Sequence, residues 1–294
     1  MNISDVRLRD PYIMLVDDTY YMYGSRTGAG GIESARKIQN GLDVYRSRNL
    51  SDWSKGKSLF GEKGFYEKNA ELWAPEVYRY KNKYYMFVTL KRYGAGEKSC
   101  RGTYVFKSDT PDGEFKLHSD SSVTPHSWEC LDGSLYFENG RPYMIFCHEW
   151  AQVKDGKFCC VEMDEDLKGA VGDVSVLFSA SDAEWVSARK GNVYVSDGPF
   201  MFKDDGVLYM LWSSFTEKGY AIGISYSESG CINGEWRHAK LPLYNGDGGH
   251  AMLFNTVKNE RKIIFHTPND SIRSSPKITD FIKIKKGSYS LFNN

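Results

Sequence analysis

Five ionisable side chains recur along the sequence, each beside a glycine or a proline and close to the start of an apolar segment. They lie 53 to 66 residues apart, with a mean spacing of 60, at Asp10, Glu76, Asp132, Asp197 and His250. Aspartate next to glycine or proline is common in turns, so any one of these residues alone indicates little. Several carboxylates that converge on one place are costly to keep charged unless something uses them. Paired carboxyl groups among aromatic side chains are the groups that glycoside hydrolysis requires.

The segments between these positions predict the elements that would hold them. Short runs of alternating apolar and polar residues are separated by turn sequences such as Lys81-Asn82-Lys83 and Asp204-Asp205-Gly206. Alternation with a period of two predicts β-strands, and the pattern of long helices is nearly absent. Four short strands in a repeat of about 60 residues are typical of a β-propeller. A two-sheet sandwich is the alternative, but it does not explain the recurrence.

Five repeats account for nearly the whole chain. We therefore predict an all-β protein that forms one domain over residues 1–294, a five-bladed β-propeller with four short antiparallel strands per blade. The first strand of each blade lines the central channel, so this fold would bring the five recurring side chains to one face. Pro11 favours an extended backbone at Asp10, which would hold that carboxylate at the start of a strand.

Composition limits the partners of this protein. Lys and Arg together number 38, as do Asp and Glu, which argues against general electrostatic binding of nucleic acid or of anionic lipid. No apolar run approaches the roughly 18 residues of a membrane span. Aromatic residues make up 15% of the chain, and such side chains stack on the faces of neutral ligands such as sugars. We expect neither a nucleic-acid nor a membrane partner, and the sequence predicts no oligomeric state.

The cysteines and the N-terminus bear on location. Six cysteines occur without a C-x-x-C pair, which predicts free thiols in a reducing compartment. The first residues lack the apolar core of a signal peptide. Together these features predict a cytoplasmic protein, although a chain from which a signal sequence had been removed would look the same.

Five strings of sequence carry a resemblance to a known family. They are RDPYI, WAPEV, LDGSLYF with ENGRPYMIF, DGPFMF with YMLWSSF, and GGHAMLF. Taken in order they resemble glycoside hydrolase family 43, and they span nearly the whole chain. The resemblance implies a five-bladed propeller, inversion at the anomeric carbon, and furanosidase or xylosidase activity on the side chains of plant polysaccharides.

The resemblance leads to a specific expectation of function. We expect an inverting exo-glycosidase that acts on oligosaccharides, and α-L-arabinofuranosidase activity first of all. Within the same chemistry, β-xylosidase and β-galactofuranosidase activities are the alternatives. A non-catalytic propeller that binds carbohydrate is the alternative from another class of protein.

The catalytic roles implied by the resemblance fall on three aspartates and one glutamate. Asp10 resembles the general base that activates water, and Asp132 resembles the third carboxylate, which tunes and orients the acid. The general acid of the family is usually a glutamate before Gly-Pro, but this chain has Asp197 there. A shorter side chain retracts the carboxyl by about 1 Å, and errors of that size can cost about 100-fold in rate. Glu149, in the sequence CHEW, is therefore the alternative acid.

Other residues are candidates for substrate or metal binding. Trp73 and Trp150 are candidates for stacking on a sugar face, Glu76 for the channel wall or a substrate contact, and Arg189 for a contact with sugar hydroxyls. His250 resembles a channel histidine that lies beside a central cation in many family members. Calcium prefers oxygen ligands, so the histidine would be a minor ligand or a neighbour. The resemblance thus implies a structural calcium or other cation in the channel and no organic cofactor.

Overall fold

The computed structural model describes residues 1–27, 41–61, 70–92, 100–285 and 287–291. Within these residues the chain forms five sheets of four antiparallel strands, and each sheet is built from strands that are consecutive in sequence. The first strands of the sheets contact one another around a common channel. The predicted all-β class, the five blades and the four strands per blade are therefore confirmed.

The strands follow the chain from the first blade to the fifth. Blade one contains β1 Leu8–Val16, β2 Thr19–Arg26, β3 Leu42–Ser47 and β4 Lys57–Ser58. Blade two contains β5 Ala70–Tyr80, β6 Lys83–Arg92, β7 Gly102–Ser108 and β8 Lys116–Leu117. Blade three contains β9 Cys130–Glu138, β10 Arg141–His148, β11 Lys157–Met163 and β12 Ala170–Ser179. Blade four contains β13 Asp197–Asp204, β14 Val207–Thr216, β15 Gly219–Ser227 and β16 Trp236–His238. Blade five contains β17 Gly249–Asn255, β18 Arg261–Thr267, β19 Ser275–Lys285 and β20 Ser288–Leu291.

Helices are short in the described part of the chain. They are the helix α1 Trp150–Val153 and the 3-10 turns Ile3–Asp5 and Ala180–Asp182. Among the described residues, no helix has the length and apolar character that crossing a membrane demands.

The ring of blades closes by packing between the last blade and the first. Each of these blades keeps four strands of its own, and within the described residues no sheet is shared between the two blades. The Leu8 N–H donates to the Ser274 carbonyl at 3.2 Å, and the Val257 N–H donates to the Tyr20 hydroxyl at 2.9 Å. The rings of Tyr20 and Phe254 meet edge to face, with centroids 6.2 Å apart. Closure therefore depends on side chains and isolated hydrogen bonds rather than on a continuous strand ladder.

A β-bulge interrupts the first strand of every blade, where two residues face one residue of the second strand. The first bulge residue has a positive φ in each blade: Asp10 (52°), Ala74 (49°), Asp132 (58°), Gly198 (55°) and His250 (55°). A left-handed conformation costs a non-glycine residue roughly 1–2 kcal/mol. Such strain clusters at functional sites, and bulges redirect side chains. The bulges thus mark the part of the channel where a site is expected.

The bulges correct two expectations drawn from the sequence. Ala74 and Gly198, rather than Glu76 and Asp197, occupy the positions equivalent to Asp10. The equivalence that regular spacing implies for the recurring side chains was therefore wrong for Glu76 and Asp197, because strand register and not spacing alone decides equivalence. The extended backbone expected at Asp10 was also wrong, since the bulge conformation overrides the preference that Pro11 imposes.

Hydrogen bonds link the bulges from blade to blade. The amide of each first bulge residue donates to a side chain of the preceding blade. In four cases the acceptor occupies the same register position in a second strand, and these acceptors are Ser25, Thr89, Ser213 and His266. Cys147 holds that position in blade three, and there the Gly198 N–H donates instead to Asp132 Oδ2 at 2.9 Å. Each buried bulge amide is thereby satisfied, as a buried donor must be.

The predicted free thiols agree with the structure. All six cysteines are free, and four of them, Cys130, Cys147, Cys159 and Cys160, are buried. Cys159 and Cys160 are neighbours in β11 and pack in different core clusters, as alternation along a strand requires.

Candidate active site

One cavity of about 360 Å³ is lined by side chains from all five blades at the bulged ends of their first strands. This volume lies in the range of ligand pockets, roughly 300–1,000 Å³. Its acidic side chains are Asp10, Asp132 and Asp197, and His250 lies beside them. The structure thus brings the three aspartates and the histidine of the sequence prediction to one place.

Asp10 is buried and held on two sides. Ser25 Oγ donates to Asp10 Oδ2 at 2.8 Å, and the Asp10 N–H donates to His266 Nδ1 at 3.2 Å. Burial and the nearby Arg9 lower the pKa of His266 to about 3, so this imidazole is neutral and accepts the amide hydrogen. Burial alone would raise the pKa of Asp10, but His250, Arg9 and the Ser25 hydroxyl outweigh it, and the pKa lies below its ordinary value. Asp10 is therefore an ionised carboxylate.

Asp132 is fixed between two blades. Its N–H donates to Thr89 Oγ1 at 2.8 Å, and its Oδ2 accepts the Gly198 N–H at 2.9 Å. Burial, followed by the negative charge of Asp10, raises the pKa of Asp132 to about 7, against the opposing effect of the Gly198 amide. Because Gly198 directly follows Asp197, Asp132 holds the backbone that carries the third carboxyl.

Asp197 lies at the start of β13, where the Tyr220 hydroxyl donates to Asp197 Oδ2 at 2.9 Å. Burial, followed by the charge of Asp132, raises the pKa of Asp197 to about 7, and the hydrogen bond from Tyr220 opposes this rise. Two buried carboxyls that interact in this way titrate as a pair. Near neutral pH the cavity therefore holds Asp10 as an ionised carboxylate and the pair of Asp132 and Asp197 with a retained proton. Different pKa values of this kind distinguish a candidate base from a candidate acid.

An aromatic and a basic side chain complete one wall of the cavity. Trp73 is half-buried in β5 and lines the cavity, and the Arg101 guanidinium lies 5.5 Å from the centroid of its ring. An aromatic face with polar groups beside it suits a ligand that is apolar on one face and carries hydroxyls on its edge. Trp73 thus lines the cavity, and its role in stacking on a sugar stays a prediction.

Glu149 lies behind Arg101 and is not one of the residues that line the cavity. Arg101 Nη1 donates to Glu149 Oε1 at 2.6 Å, while Glu149 Oε2 has no hydrogen-bond partner among the described residues. Burial raises the pKa of Glu149, and the charge of Arg101 opposes this effect. The geometry makes Glu149 a partner of Arg101, and its role as an alternative acid stays a prediction.

The other residues proposed for substrate contacts lie away from the cavity lining. Glu76 is buried in the channel, where it accepts a hydrogen bond from Tyr78, and burial raises its pKa to about 7. Trp150 begins the helix α1. Arg189 is exposed, with its guanidinium 4.0 Å from the centroid of the Phe215 ring. The roles assigned to Glu76, Trp150 and Arg189 stay predictions.

Three residues that position the carboxyls were missed in the sequence. Ser25 and His266 occupy the same register position in their second strands, so an alignment of the repeats strand by strand would have identified them. Tyr220 had no such signal, because tyrosines are frequent throughout the strands of this chain.

The side chains around His250 do not form a calcium site by themselves. His250 Nδ1 lies 3.5 Å from Asp10 Oδ1 and 3.8 Å from Asp132 Oδ2. Among the described residues, no group of three or more His, Cys, Asp or Glu side chains is arranged to hold a metal. Calcium takes six to eight oxygen ligands, which this donor set does not supply. The channel cation therefore stays a prediction.

Replacing Ser25 with alanine is expected to affect both stability and the Asp10 carboxyl. The change leaves the buried Ala74 N–H without its acceptor, which costs about 1–3 kcal/mol in the free energy of unfolding. It also removes the hydrogen bond that lowers the pKa of Asp10, so that pKa rises. Urea denaturation measures the first effect, and the acidic limb of the pH–activity profile measures the second.

Ser213→Ala is the matched control for Ser25→Ala. Ser213 accepts the His250 N–H at 2.8 Å in the equivalent position of blade four, but among the described residues it has no hydrogen bond to a carboxylate. Both variants should lose similar stability, and only Ser25→Ala should move the acidic limb to higher pH. A shift of equal size in both would contradict a specific contact between Ser25 and Asp10.

Comparison with known proteins adds to this geometry. A family model described as glycosyl hydrolases family 43 matches residues 2–282. The solved structure of an endo-arabinase from Bacteroides thetaiotaomicron is 38% identical, covers 98% of each chain and superposes with a TM-score of 0.85. An extracellular exo-α-(1→5)-L-arabinofuranosidase of Cellvibrio japonicus is 23% identical over 51% of this chain and 43% of its own length. A probable arabinan endo-1,5-α-L-arabinosidase B of Aspergillus fumigatus is 24% identical over 58% and 45% respectively. The match thus spans less than half the length of these two curated relatives.

Proposed function

The chain belongs to glycosyl hydrolases family 43, and on this basis we propose that it is an inverting exo-glycosidase that releases terminal α-L-arabinofuranosyl residues from oligosaccharides. The observation that carries this proposal is the convergence of Asp10, Asp132 and Asp197 in one cavity, where the pKa of Asp10 lies below its ordinary value and those of Asp132 and Asp197 are raised to about 7. Arabinose appears in the descriptions of the similar proteins above, which supports the choice of sugar.

The proposed reaction is a single displacement. Asp10 accepts a proton from water while the water oxygen bonds to the anomeric carbon. Asp197 gives its proton to the glycosidic oxygen as the bond from that oxygen to the anomeric carbon breaks. The water needs room between the carboxyls of Asp10 and Asp197. In inverting enzymes the two carboxyl groups are typically roughly 6.5–9.5 Å apart. Asp132 holds the Asp197 segment through the Gly198 amide and raises the pKa of the acid.

Exo action is the first candidate mode. The lining of the cavity comes from all five blades. An exo-acting enzyme would bind the end of a chain there, whereas an endo-acting enzyme would need a groove that lets a polymer pass through. Trp73 on one wall would stack on the terminal sugar.

Product analysis on linear 1,5-α-arabinan and on short arabino-oligosaccharides tests the proposal. Exo action releases arabinose alone from the earliest time points, and inversion yields the β-anomer first in proton NMR. An α-anomer as the first product would overturn the inverting mechanism. If arabinosides are not hydrolysed but 4-nitrophenyl β-xyloside or β-galactofuranoside is, then the substrate is a glycoside of that other sugar. Calorimetric binding without turnover of any of these substrates would support a non-catalytic carbohydrate-binding propeller.

Endo action on arabinan is the second candidate, because the solved structure that is 38% identical over 98% of the chain is described as an endo-arabinase. Endo cleavage would give a mixture of oligosaccharides early in the reaction and a rapid fall in viscosity. The same digestion therefore decides between the two modes of action.

The rate is expected to depend on pH in a specific way. Asp197 must carry a proton to act as the acid, so kcat/KM should fall as the pH rises through about 7, the pKa to which burial raises this group. Asp132 shares this titration, so the alkaline limb belongs to the pair. Asp10 must be ionised, and because its pKa is lowered, the acidic limb should lie below 3.8. Profiles of kcat/KM over roughly pH 3 to 9 measure both limbs. A constant rate between neutral and alkaline pH would contradict a buried aspartic acid as the proton donor.

A further inference from the structure

Tyr220 is a buried side chain at the edge of the carboxyl cluster. It lies near the start of β15 and is only 3% exposed, yet its hydroxyl reaches the cavity and donates to Asp197 Oδ2 at 2.9 Å. Burial and the charge of Asp197 raise the pKa of Tyr220 well above its ordinary range. The hydroxyl therefore keeps its proton and remains a donor at every working pH.

Two close neighbours confine the ring of Tyr220. It stacks on the His266 imidazole with centroids 5.9 Å apart and planes inclined by 20°. The same imidazole accepts the Asp10 N–H. His266 thus contacts both the backbone of Asp10 and the tyrosine that hydrogen-bonds Asp197. Gly249 passes beside the ring, and a Cβ on it would lie 2.2 Å from Tyr220 Cε1. Only glycine at this position leaves the tyrosine room.

We propose that Tyr220 is a positioning residue that holds the Asp197 carboxyl for proton transfer. This inference rests on the proposed function of the site. The tyrosine hydrogen occupies Oδ2, so the proton to be transferred resides on Oδ1 of Asp197. When Oδ1 gives that proton to the glycosidic oxygen, the negative charge that develops on the carboxylate is met by the hydrogen bond already in place. A hydrogen bond to a charged group is stronger than one to a neutral group, so the contact tightens during the reaction.

The contact also bears on the aspartate that this chain has where the resemblance implies a glutamate. A carboxyl that is one methylene shorter reaches less far, and a small misplacement costs much rate. Tyr220 anchors one oxygen of this short side chain, and Asp132 fixes the following amide of Gly198. The acid is held at both its side chain and its backbone, which preserves its geometry.

Tyr220→Phe tests the inference with two substrates that differ in their need for an acid. Phenylalanine keeps the stack on His266 and removes only the hydroxyl. On an unactivated arabino-oligosaccharide, kcat should fall by about tenfold or more while KM changes little. On 2,4-dinitrophenyl α-L-arabinofuranoside, whose leaving group departs without a proton, kcat should stay within about twofold of wild type.

The matched control is Tyr226→Phe, which removes a hydroxyl from the same strand. Tyr226 packs against Tyr209, with ring centroids 6.2 Å apart, and does not line the cavity. The Tyr226→Phe variant should leave kcat unchanged on both substrates. An equal loss on the two substrates in Tyr220→Phe, or no loss on either, would overturn the positioning role while the wild type remains active. An inactive wild type would instead overturn the proposed function itself, and with it this inference.

Discussion

Asp10→Asn is expected to lower kcat/KM on arabino-oligosaccharides by about 10²–10⁴-fold, the usual contribution of a general base. Asparagine has the size of aspartate and keeps an oxygen to accept the Ser25 hydroxyl, and the backbone N–H still donates to His266. It has no carboxylate to take a proton from water. The loss should appear in kcat and should be equal for substrates with good and poor leaving groups, because water attack is impaired in both. Steady-state kinetics on the two substrate types measure it.

Asp17→Asn provides a control at the other end of the same hairpin. Asp17 is exposed and has a φ of 50°, close to the 52° of Asp10, so the two substitutions meet the same backbone conformation. The control should retain wild-type activity, and thermal melting should show both variants folded. Undiminished turnover by Asp10→Asn would exclude Asp10 as the base.

The fold was predictable because its signals are local and repeated. Period-two alternation and turn sequences are readable in every repeat, and the spacing of about 60 residues selects a propeller. The bulges were not predictable, because they depend on pairing between strands. At Asp10 the local preference set by Pro11 yields to a hydrogen bond with His266, which lies 256 residues away in the chain.

The carboxyls of the site were predictable from the repeats of the sequence. The residues that support them were harder to predict, because they act through contacts between strands or blades. Asp10, Asp132 and Asp197 each begin a recognisable repeat, and the propeller places them together. Ser25 acts across blades and would be found only by aligning the repeats strand by strand, and Tyr220 acts across strands through a contact that no local pattern records. The sequence therefore shows which groups carry the chemistry, while the packing shows what holds them and sets their pKa values.

Asp197 and Glu149 are the two candidates for the general acid. Replacing Asp197 is the second change from which we expect a large effect. Asp197→Asn should lower kcat/KM on arabino-oligosaccharides by about 10²–10⁴-fold, the usual contribution of a general acid. It should leave hydrolysis of the dinitrophenyl glycoside nearly unchanged, because that leaving group needs no proton. The alkaline limb of the pH profile should also disappear, since the removed group shares that titration with Asp132.

Glu149→Gln is the informative comparison, because it replaces the other candidate acid by an isosteric neutral group. Glu149 contacts Arg101 at 2.6 Å and does not line the cavity, so its loss should loosen Arg101 beside Trp73. We expect a rise in KM that is similar for both substrates, with the alkaline limb kept. If Glu149→Gln instead shows the loss that depends on the leaving group, and Asp197→Asn does not, then Glu149 supplies the proton. In that case the general acid would be Glu149 of blade three, and the shorter Asp197 would not be the proton donor.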